Sequence, residues 1–228
     1  MAPTLKAPCW ILTHDQTAGR GRRGRGWAMP KGNFAATLVT RPKGGIEAAA
    51  QLSFVAALAL YDAFQRACGP SARLSIKWPN DVLLNGGKVA GILLETSATR
   101  AEAPVVAVGI GVNLAAAPEA AAVEAGAFPP VSVFGETGLT VLPEDFLDLL
   151  APAFAEWQAQ FDTFGFEPLR RAWLARAARL GQRIVARTML DETEGVFEGI
   201  DHEGALILAA SGGRVTIPAA DVFFRGER

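Results

Sequence analysis

The segment that constrains the fold most is residues 16–27, which read QTAGRGRRGRGW. It holds four glycines and four arginines, and glycine at this density disfavours the interior of a helix or a strand. Glycine lets the backbone approach a ligand closely, and each arginine presents a charged fork that matches phosphate and carboxylate oxygens. Without an anion, the like charges are expected to repel one another and keep the segment mobile. We therefore predict that this segment, the arginine loop, folds over a phosphate-bearing or carboxylate-bearing molecule.

Three other interpretations of the arginine loop compete with this one. A solvated basic loop without a ligand is the first. A nucleic-acid contact is the second, although the formal net charge of −1 and the scattered Lys and Arg elsewhere argue against a basic binding face. The third is a dinucleotide-binding motif, because residues 19–24 match G-x-G-x-x-G. That motif requires a helix directly after it, and Gly26, Pro30 and Gly32 prevent one, so we regard the match as accidental.

The size and composition of the chain bound its class. A chain of 228 residues, half of them hydrophobic, can form one large domain and a small second one. No segment is apolar over the length of a membrane span and the N-terminus lacks a signal-peptide pattern, so we expect a cytoplasmic protein without a membrane partner. Cys9 and Cys68 are too few for a disulfide framework, and His14 and His202 lack spaced partners, so neither a His/Cys metal site nor a Ser-His-Asp triad is expected.

Hydrophobic patterning predicts an α+β fold. The strongest helix, residues 46–67, is rich in Ala and Leu, is apolar almost all round and ends at Gly69-Pro70. Two further helices are predicted at residues 144–163 and 166–178, and residues 115–130 are predicted to be irregular. Strands are predicted at residues 9–13, 33–39, 74–78, 81–84, 88–96 and 104–113, with Asn85-Gly86-Gly87 as a hairpin turn. Many strands with few intervening helices favour a mixed or antiparallel sheet with helices packed on one side.

Composition changes near Gly181. From there to Phe224 the chain has β-branched pairs, closely spaced turn glycines and no long helical period. Five short strands at this spacing fit a small barrel. We therefore predict two domains, residues 1–178 and 179–228.

Two lysine-containing segments are candidates for a site. Residues 77–81, KWPND, form either a turn with Trp78 in the core or a binding cluster at a strand end. Lys88 lies in an apolar hairpin strand, where a lysine is by default a solvated edge charge, but its ammonium can also meet a phosphate or carboxylate. Gly109 and Gly111 inside a strand often mark the close approach of a ligand or of another backbone.

Together, residues 16–27, 77–81, 88–95 and 109–113 resemble, in order and spacing, the successive motifs of biotin–protein ligases, or biotin–[biotin carboxyl carrier protein] ligases. The resemblance extends from about residue 9 to 113, is looser through the following helices, and returns within residues 199–206. It implies the fold shared with class II aminoacyl-tRNA synthetases, a mixed sheet backed by helices, followed by an SH3-like barrel.

The resemblance also implies a two-step reaction with biotin and MgATP as substrates. The biotin carboxylate attacks the α-phosphorus of ATP to give biotinyl-5′-AMP and pyrophosphate, and a lysine of a carrier domain then attacks this mixed anhydride. The implied partner is the biotin carboxyl carrier domain of acetyl-CoA carboxylase or a related carboxylase, and a homodimer is a further option. A helix-turn-helix that would bind DNA is not evident, so repressor activity is not expected.

The family motifs imply residue roles. Lys88 would bridge the biotin carboxylate and the α-phosphate, with Arg22 and Asp81 as the other catalytic candidates. Biotin would contact Gln16 through its ureido group, together with Gly19, Arg20, Gly21, Arg22 and Lys88. The adenylate would contact Arg20, Arg22, Trp27, Asn80, Lys88 and Asn113. Asp81 would meet Mg²⁺ or the acceptor lysine.

The chain departs from the family pattern before its first strand. Such ligases carry a Ser/Thr-Thr-Asn segment upstream, which has no counterpart in residues 1–8. We therefore expect either that the start is truncated or that the biotin tail is bound in a different way. Two alternatives to a biotin ligase remain: a lipoate–protein ligase with the same adenylate strategy, and a non-catalytic module that binds biotin or RNA. The arginine loop and the KWPND segment favour the biotin branch.

Overall fold

The computed structural model describes residues 8–97, 105–119, 128–188 and 190–224. The helices are α1 (Gly45–Cys68), α2 (Val133–Thr137), α3 (Pro143–Phe164) and α4 (Phe166–Leu174). The first six strands are β1 (Cys9–Thr13), β2 (Phe34–Thr40), β3 (Leu74–Lys77), β4 (Asp81–Leu84), β5 (Gly87–Ser97) and β6 (Val105–Val112). The remaining strands are β7 (Arg183–Arg187), β8 (Glu192–Ile200), β9 (Leu206–Ala210), β10 (Gly213–Ile217) and β11 (Asp221–Phe223).

Strands β1 to β6 form one antiparallel sheet in the order β1-β2-β6-β5-β4-β3. Successive side chains of a strand point to opposite faces, and on β6 the alternate residues Val106, Val108, Ile110 and Val112 are buried. These side chains join the core formed with α1 and α3, so the helices cover one face of the sheet. Helix α1 is buried nearly all round, which agrees with its continuous apolar sequence.

The opposite face of this sheet carries small side chains at its centre. Ala35 on β2 pairs with Gly111 on β6, and Gly111 in turn pairs with Gly91 on β5. Because glycine has no side chain, these positions leave a flat surface on the face that no helix of the described residues covers. This surface is where the arginine loop lies.

Strands β7 to β11 form a second antiparallel sheet, the C-terminal sheet, in the order β10-β9-β8-β7-β11. It packs on the first part of the chain through Trp78, whose Nε1 donates a hydrogen bond to the Gly204 carbonyl at 2.9 Å. A Cβ atom at Gly204 would lie 2.6 Å from the ring of Phe54 on α1, so only glycine permits this close approach. Buried side chains from both sheets form one continuous core.

Most predicted elements are confirmed, and three details differ. Strand β5 lies inside the sheet, between β4 and β6, so the expectation that Lys88 is an edge residue is wrong. The short helix α2 was not predicted, and α4 ends at Leu174 rather than at residue 178. Of the predicted irregular stretch at residues 115–130, residues 120–127 lie outside the described residues, and the rest contains neither helix nor strand apart from an isolated bridge between Pro130 and Lys88.

Candidate active site

A cavity of about 800 Å³ lies between the arginine loop, the open face of the six-stranded sheet and the end of the C-terminal sheet. Its volume is within the range of roughly 300–1,000 Å³ that small-molecule sites occupy. Its lining includes almost all of the residues predicted from the sequence: Gln16, Arg20, Gly21, Arg22, Trp27, Asn80, Asp81, Lys88 and Asn113. The structure therefore brings together residues that are up to 97 positions apart in the chain, Gln16 and Asn113.

The floor of the cavity is the glycine surface, and Trp27 lies against it. A Cβ atom at Gly111 would come within 2.4 Å of Cε2 of Trp27, and one at Gly91 within 3.1 Å of its Cζ3. The indole thus packs directly on the backbone of β5 and β6. The Lys88 ammonium lies 5.7 Å from the centre of the same ring, within the range of a cation–π contact. Because the indole already occupies the space over these two glycines, a ligand in the cavity can contact the ring but cannot lie between the ring and the floor.

Two lysines share one buried carboxylate at the side of the cavity. Nζ of Lys88 lies 2.7 Å from Oδ1 of Asp81, and Nζ of Lys77 lies 3.3 Å from Oδ2. Burial alone would raise the pKa of the Asp81 carboxyl, but the two ammonium groups outweigh it and lower the pKa to about 2. Burial lowers the pKa of Lys77, and Asp81 opposes that shift. The triad therefore carries a net positive charge facing the cavity.

The arginine loop folds as a small closed turn over the floor. The amide of Gly21 donates to the carbonyl of Arg25 at 2.7 Å, and the amide of Trp27 donates to that of Gly19 at 2.9 Å. Gly19 is required at its position, because a Cβ atom there would lie 2.4 Å from the carbonyl oxygen of Trp27. At the tip, Arg23 adopts a left-handed conformation with φ of 56°. The glycines thus let the loop close on itself and project its guanidinium groups sideways.

Asp221, on β11 of the C-terminal sheet, forms ion pairs with three of these guanidinium groups. Its carboxylate lies 3.0 Å from Arg23, 3.0 Å from Arg25 and 3.7 Å from Arg22. Arg22 also donates to the carbonyl of Ala220 at 3.2 Å. Burial lowers the pKa of the Arg22 guanidinium, and the negative charges of Asp221 and Asp81 oppose the shift. The second sheet therefore supplies an anion that was not predicted from the sequence, and Asp221 offsets part of the repulsion among the arginines.

Three other predicted residues, Arg20, Asn80 and Asn113, lie at the rim of the cavity or hydrogen-bond to the protein itself. Arg20 is largely exposed at the rim and lies 3.7 Å from Glu95. The Asn80 side chain donates to the carbonyl of Ile92, which ties the KWPND segment to β5. The Asn113 side chain is buried, accepts from Asn33 at 3.3 Å and donates to the carbonyl of Val131 at 3.0 Å. These bonds fix the chain entering α2; Asn113 also lines the cavity, and its contact with the adenylate stays a prediction.

Mg²⁺ does not fit Asp81 in this arrangement. Both carboxylate oxygens face ammonium groups, and a divalent cation placed there would meet two like charges at short range. Among the described residues, no group of three His, Cys, Asp or Glu side chains lies close enough to hold a metal ion. The prediction of Asp81 as a Mg²⁺ ligand is therefore corrected, and Mg²⁺ is considered only as part of the substrate MgATP.

Sequence reasoning missed two residues of this site. Lys77 was quoted within the KWPND segment but received no role, although its ammonium completes the triad. Asp221 was missed altogether, because it stands about 200 positions from its arginine partners and a lone acidic residue near the end of a chain gives no signal. Only the docking of the C-terminal sheet brings it to the site.

Comparisons with known proteins give one consistent result. Residues 2–113 match the model of the biotin/lipoate A/B protein ligase family, and residues 180–225 match the biotin protein ligase C-terminal domain. The chain is 70% identical over 226 residues to a biotin–[acetyl-CoA-carboxylase] ligase of Paracoccus denitrificans, covering 99% of this chain and 94% of that protein. It is 32% identical to the bifunctional ligase/repressor BirA of Bacillus subtilis, covering 93% of this chain and 65% of that protein.

Solved structures agree on the fold. The biotin protein ligase of Aquifex aeolicus, in complex with biotin and ATP, superposes with a TM-score of 0.79 at 22% identity, covering 93% of this chain and 87% of that one. The Leishmania major enzyme in complex with biotinyl-5-AMP superposes with a TM-score of 0.63 at 19% identity, covering 93% and 89%. No helix among the described residues is long and apolar enough to cross a membrane.

Proposed function

Because the chain belongs to the biotin protein ligase family, we propose that it is a biotin–[acetyl-CoA-carboxylase] ligase that forms biotinyl-5′-AMP from biotin and MgATP and transfers biotin to a carrier lysine. The observation that carries the proposal is the convergence of Lys88, Arg22 and the flat glycine floor on one cavity. The 70% identity to the Paracoccus ligase supports the choice of biotin as the acid and of a carboxylase carrier domain as the partner.

In the first step, a carboxylate oxygen of biotin attacks the α-phosphorus of ATP, and the bond to the β-phosphate oxygen breaks to release pyrophosphate. Negative charge builds on the α-phosphate oxygens as the two anions approach. Lys88 lies where its ammonium reaches into the cavity, and Arg22 approaches from the loop above. Cations held at the site stabilise this developing charge, and electrostatic stabilisation of this kind is the largest contribution in many enzymes.

In the second step, the neutral amine of the carrier lysine attacks the acyl carbon, and the bond to the AMP oxygen breaks. The amide keeps the biotin, AMP leaves, and the amine loses its proton. Asp81 is a weak base for that proton, because its pKa is about 2. The residues described here bind and shield the anhydride, since an acyl-adenylate hydrolyses when water reaches it.

The roles of the other residues follow their positions. Trp27 lies directly on the glycine floor and forms a wall of the pocket for the adenylate, and Gln16 lines the same cavity as the contact proposed for the ureido group of biotin. The arginine loop covers the adenylate, with the backbone of Gly19 and Gly21 shaping the turn. Arg20 at the rim and Asn80 beside β5 complete the nucleotide side. The proposed boundary between the ligase domain and the C-terminal domain lies between residues 178 and 179, which is consistent with the match of residues 180–225 to the C-terminal domain of biotin protein ligases.

The experiment that tests this function is exchange of labelled pyrophosphate into ATP with biotin, with lipoate and without an acid. We expect exchange with biotin alone, because the chain is 70% identical to a ligase named for biotin. Exchange with lipoate alone would identify a lipoate–protein ligase. Binding of biotin without exchange, or a steeply salt-dependent affinity for RNA, would identify a non-catalytic module.

A further inference from the structure

The Lys77–Asp81–Lys88 triad holds two cations on one carboxylate, although one would neutralise it. We propose that Lys77 is a positioning residue that remains with Asp81 as its counter-ion, so that the ammonium of Lys88 is free to turn from Asp81 to the reacting carboxylate and phosphate. The inference rests on the proposed function and assigns a role to a residue that does not itself touch the substrate.

The surroundings of the two lysines differ in the way this role requires. The side chain of Lys77 is 11% exposed, and its ammonium lies 5.2 Å from the centre of the Phe128 ring. Phe128 is itself held edge-on by Phe224, with ring centres 4.5 Å apart, so Lys77 is enclosed on that side. The side chain of Lys88 is 32% exposed and points into the cavity. Lys88 is therefore the member of the triad that can move, and Lys77 the one that stays.

The electrostatic reason is the cost of an unpaired buried charge. Asp81 is buried, and a carboxylate left alone in such a place is strongly destabilised. If Lys88 were its only partner, each approach of Lys88 to the substrate would leave Asp81 without a cation. With Lys77 in place, Asp81 keeps one ion pair throughout. Lys77 thus lowers the free energy needed to move Lys88. Both lysines line the cavity, but Lys77 is the more buried of the two.

The first test measures how firmly Lys88 is held, independently of activity. The protein without substrates is treated with a low dose of acetic anhydride, and acetylation of Lys88 is compared by mass spectrometry with that of Lys43, whose side chain is 84% exposed. In Lys77→Met, Asp81 acts on Lys88 alone, so we expect the Lys88-to-Lys43 ratio to fall at least threefold. Lys77→Arg, which keeps the charge, should stay near the wild type.

The direction in which the Lys88-to-Lys43 acetylation ratio changes distinguishes a positioning role of Lys77 from a role in packing alone. If Lys77 served only the packing, its loss would loosen the site and raise the labelling of Lys88. An unchanged or raised ratio in Lys77→Met therefore overturns the proposal. Lys77→Gln, which keeps a polar group beside Asp81, provides the same comparison if the methionine variant does not fold.

The second test is a double-mutant cycle on the single-turnover rate of adenylate formation. We expect Lys77→Met to slow this rate at least tenfold, equivalent to about 1.4 kcal/mol, with the Kd values of biotin and ATP changed less than twofold. In the Asp81→Asn background the carboxylate that holds Lys88 is gone, so the same substitution should have no further effect.

Two results of the cycle would contradict the role. An equal loss in both backgrounds, or a weaker ATP affinity in both, means that Lys77 contacts the nucleotide directly. A different result would contradict the proposed function. If the wild type shows no biotin-dependent pyrophosphate exchange, it is not a biotin ligase, whatever the labelling of Lys88 shows.

Discussion

At the scale of single residues, the floor of the cavity is open to a direct steric test. A methyl group at Gly111 would meet the indole of Trp27 at 2.4 Å, so Gly111→Ala must displace that ring. We expect the affinity for biotin, measured by calorimetry, to fall at least tenfold, because the displaced indole reshapes the wall of the cavity. Gly212→Ala is the matched control, since its methyl group would meet no atom within 4 Å. Equal biotin affinity in the Gly111 variant and the wild type would show that the rings bind elsewhere.

The role of Lys88 gives a second prediction. Lys88→Ala removes the cation that faces the cavity but leaves Lys77 paired with Asp81, so the protein should still fold. Loss of one fixed group that stabilises a developing oxyanion costs about 10²–10³ in rate, and we expect a loss of that size in pyrophosphate exchange. Lys43→Ala, which removes an exposed lysine near Asp162, should retain wild-type exchange. Wild-type turnover in Lys88→Ala would exclude Lys88 as the catalytic cation.

Asp81 gives a prediction about pH. Its folded pKa of about 2 lies below the ordinary value of 3.8, so its pairing stabilises the protein fully above pH 4 and is lost as pH falls toward 2. The shift corresponds to roughly 2 kcal/mol of unfolding free energy. We therefore expect the urea-unfolding free energy of the wild type to fall by about this amount more than that of Asp81→Asn between pH 5 and pH 2. Parallel pH profiles would mean that the carboxylate is not held by the two lysines.

At the residue scale, short motifs are enough to name residues that meet in space. Lys88, Arg22 and Gln16, whose roles are implied by the resemblance to biotin–protein ligases, all line the cavity, and their individual roles stay predictions. The bonding of Asn113 could not be foreseen, since its partners Asn33 and Val131 are distant in the chain. Whether an amide side chain faces a ligand or the protein depends on those partners and not on its own neighbours.

At the scale of elements, the contact between the arginine loop and β11 leads to a further prediction. Asp221→Asn removes the charge that holds Arg22, Arg23 and Arg25, so we expect faster tryptic cleavage within residues 20–25 of the protein without substrates. Biotin and MgATP should then protect this loop by a larger factor than in the wild type, because the nucleotide phosphates replace the lost anion.

The matched control for this change is Glu198→Gln. Glu198 pairs with Arg214 at 3.1 Å within the C-terminal sheet, so its neutralisation should leave cleavage of the arginine loop unchanged. Equal cleavage rates in Asp221→Asn and the wild type would show that the carboxylate does not restrain the loop.

Element-scale predictions failed where tertiary pairing outweighs local preference. Residues 175–178 are good helix formers, yet α4 ends at Leu174 because the amide of Ile76 donates to the carbonyl of Arg176 and the amide of Ala178 donates to that of Ile76, each at 2.8 Å. Helix α2 has only five residues, too few for a periodic signal. The default of an edge position for Lys88 fails because β5 has a second partner, β6, that comes later in the chain.

At the scale of the whole molecule, the continuous core predicts a single cooperative unfolding transition. All five tryptophans precede residue 179, and Trp78 is bonded across the boundary to Gly204. We expect tryptophan fluorescence and hydrogen exchange in β8 (Glu192–Ile200) to give the same urea midpoint. A lower midpoint for β8 would mean that the C-terminal sheet unfolds on its own and does not hold the arginine loop.

The fold class was predictable because strand and helix periods are strong in this chain, and the likeness to known ligases confirms it. How the two sheets meet was not predictable. That arrangement depends on single contacts, such as Phe54 against Gly204, that leave no pattern in the sequence. The same docking brings Asp221 to the arginine loop, so the most important unforeseen feature of the site is a consequence of whole-molecule packing.

The most direct test of the central claim is transfer of labelled biotin, with ATP, to an isolated carboxylase carrier domain, followed by mass spectrometry of the labelled site. We predict label on one lysine of the carrier with the wild type, and its loss with Lys88→Ala. Label spread over many lysines, label that persists without Lys88, or transfer of lipoate in place of biotin would contradict the account.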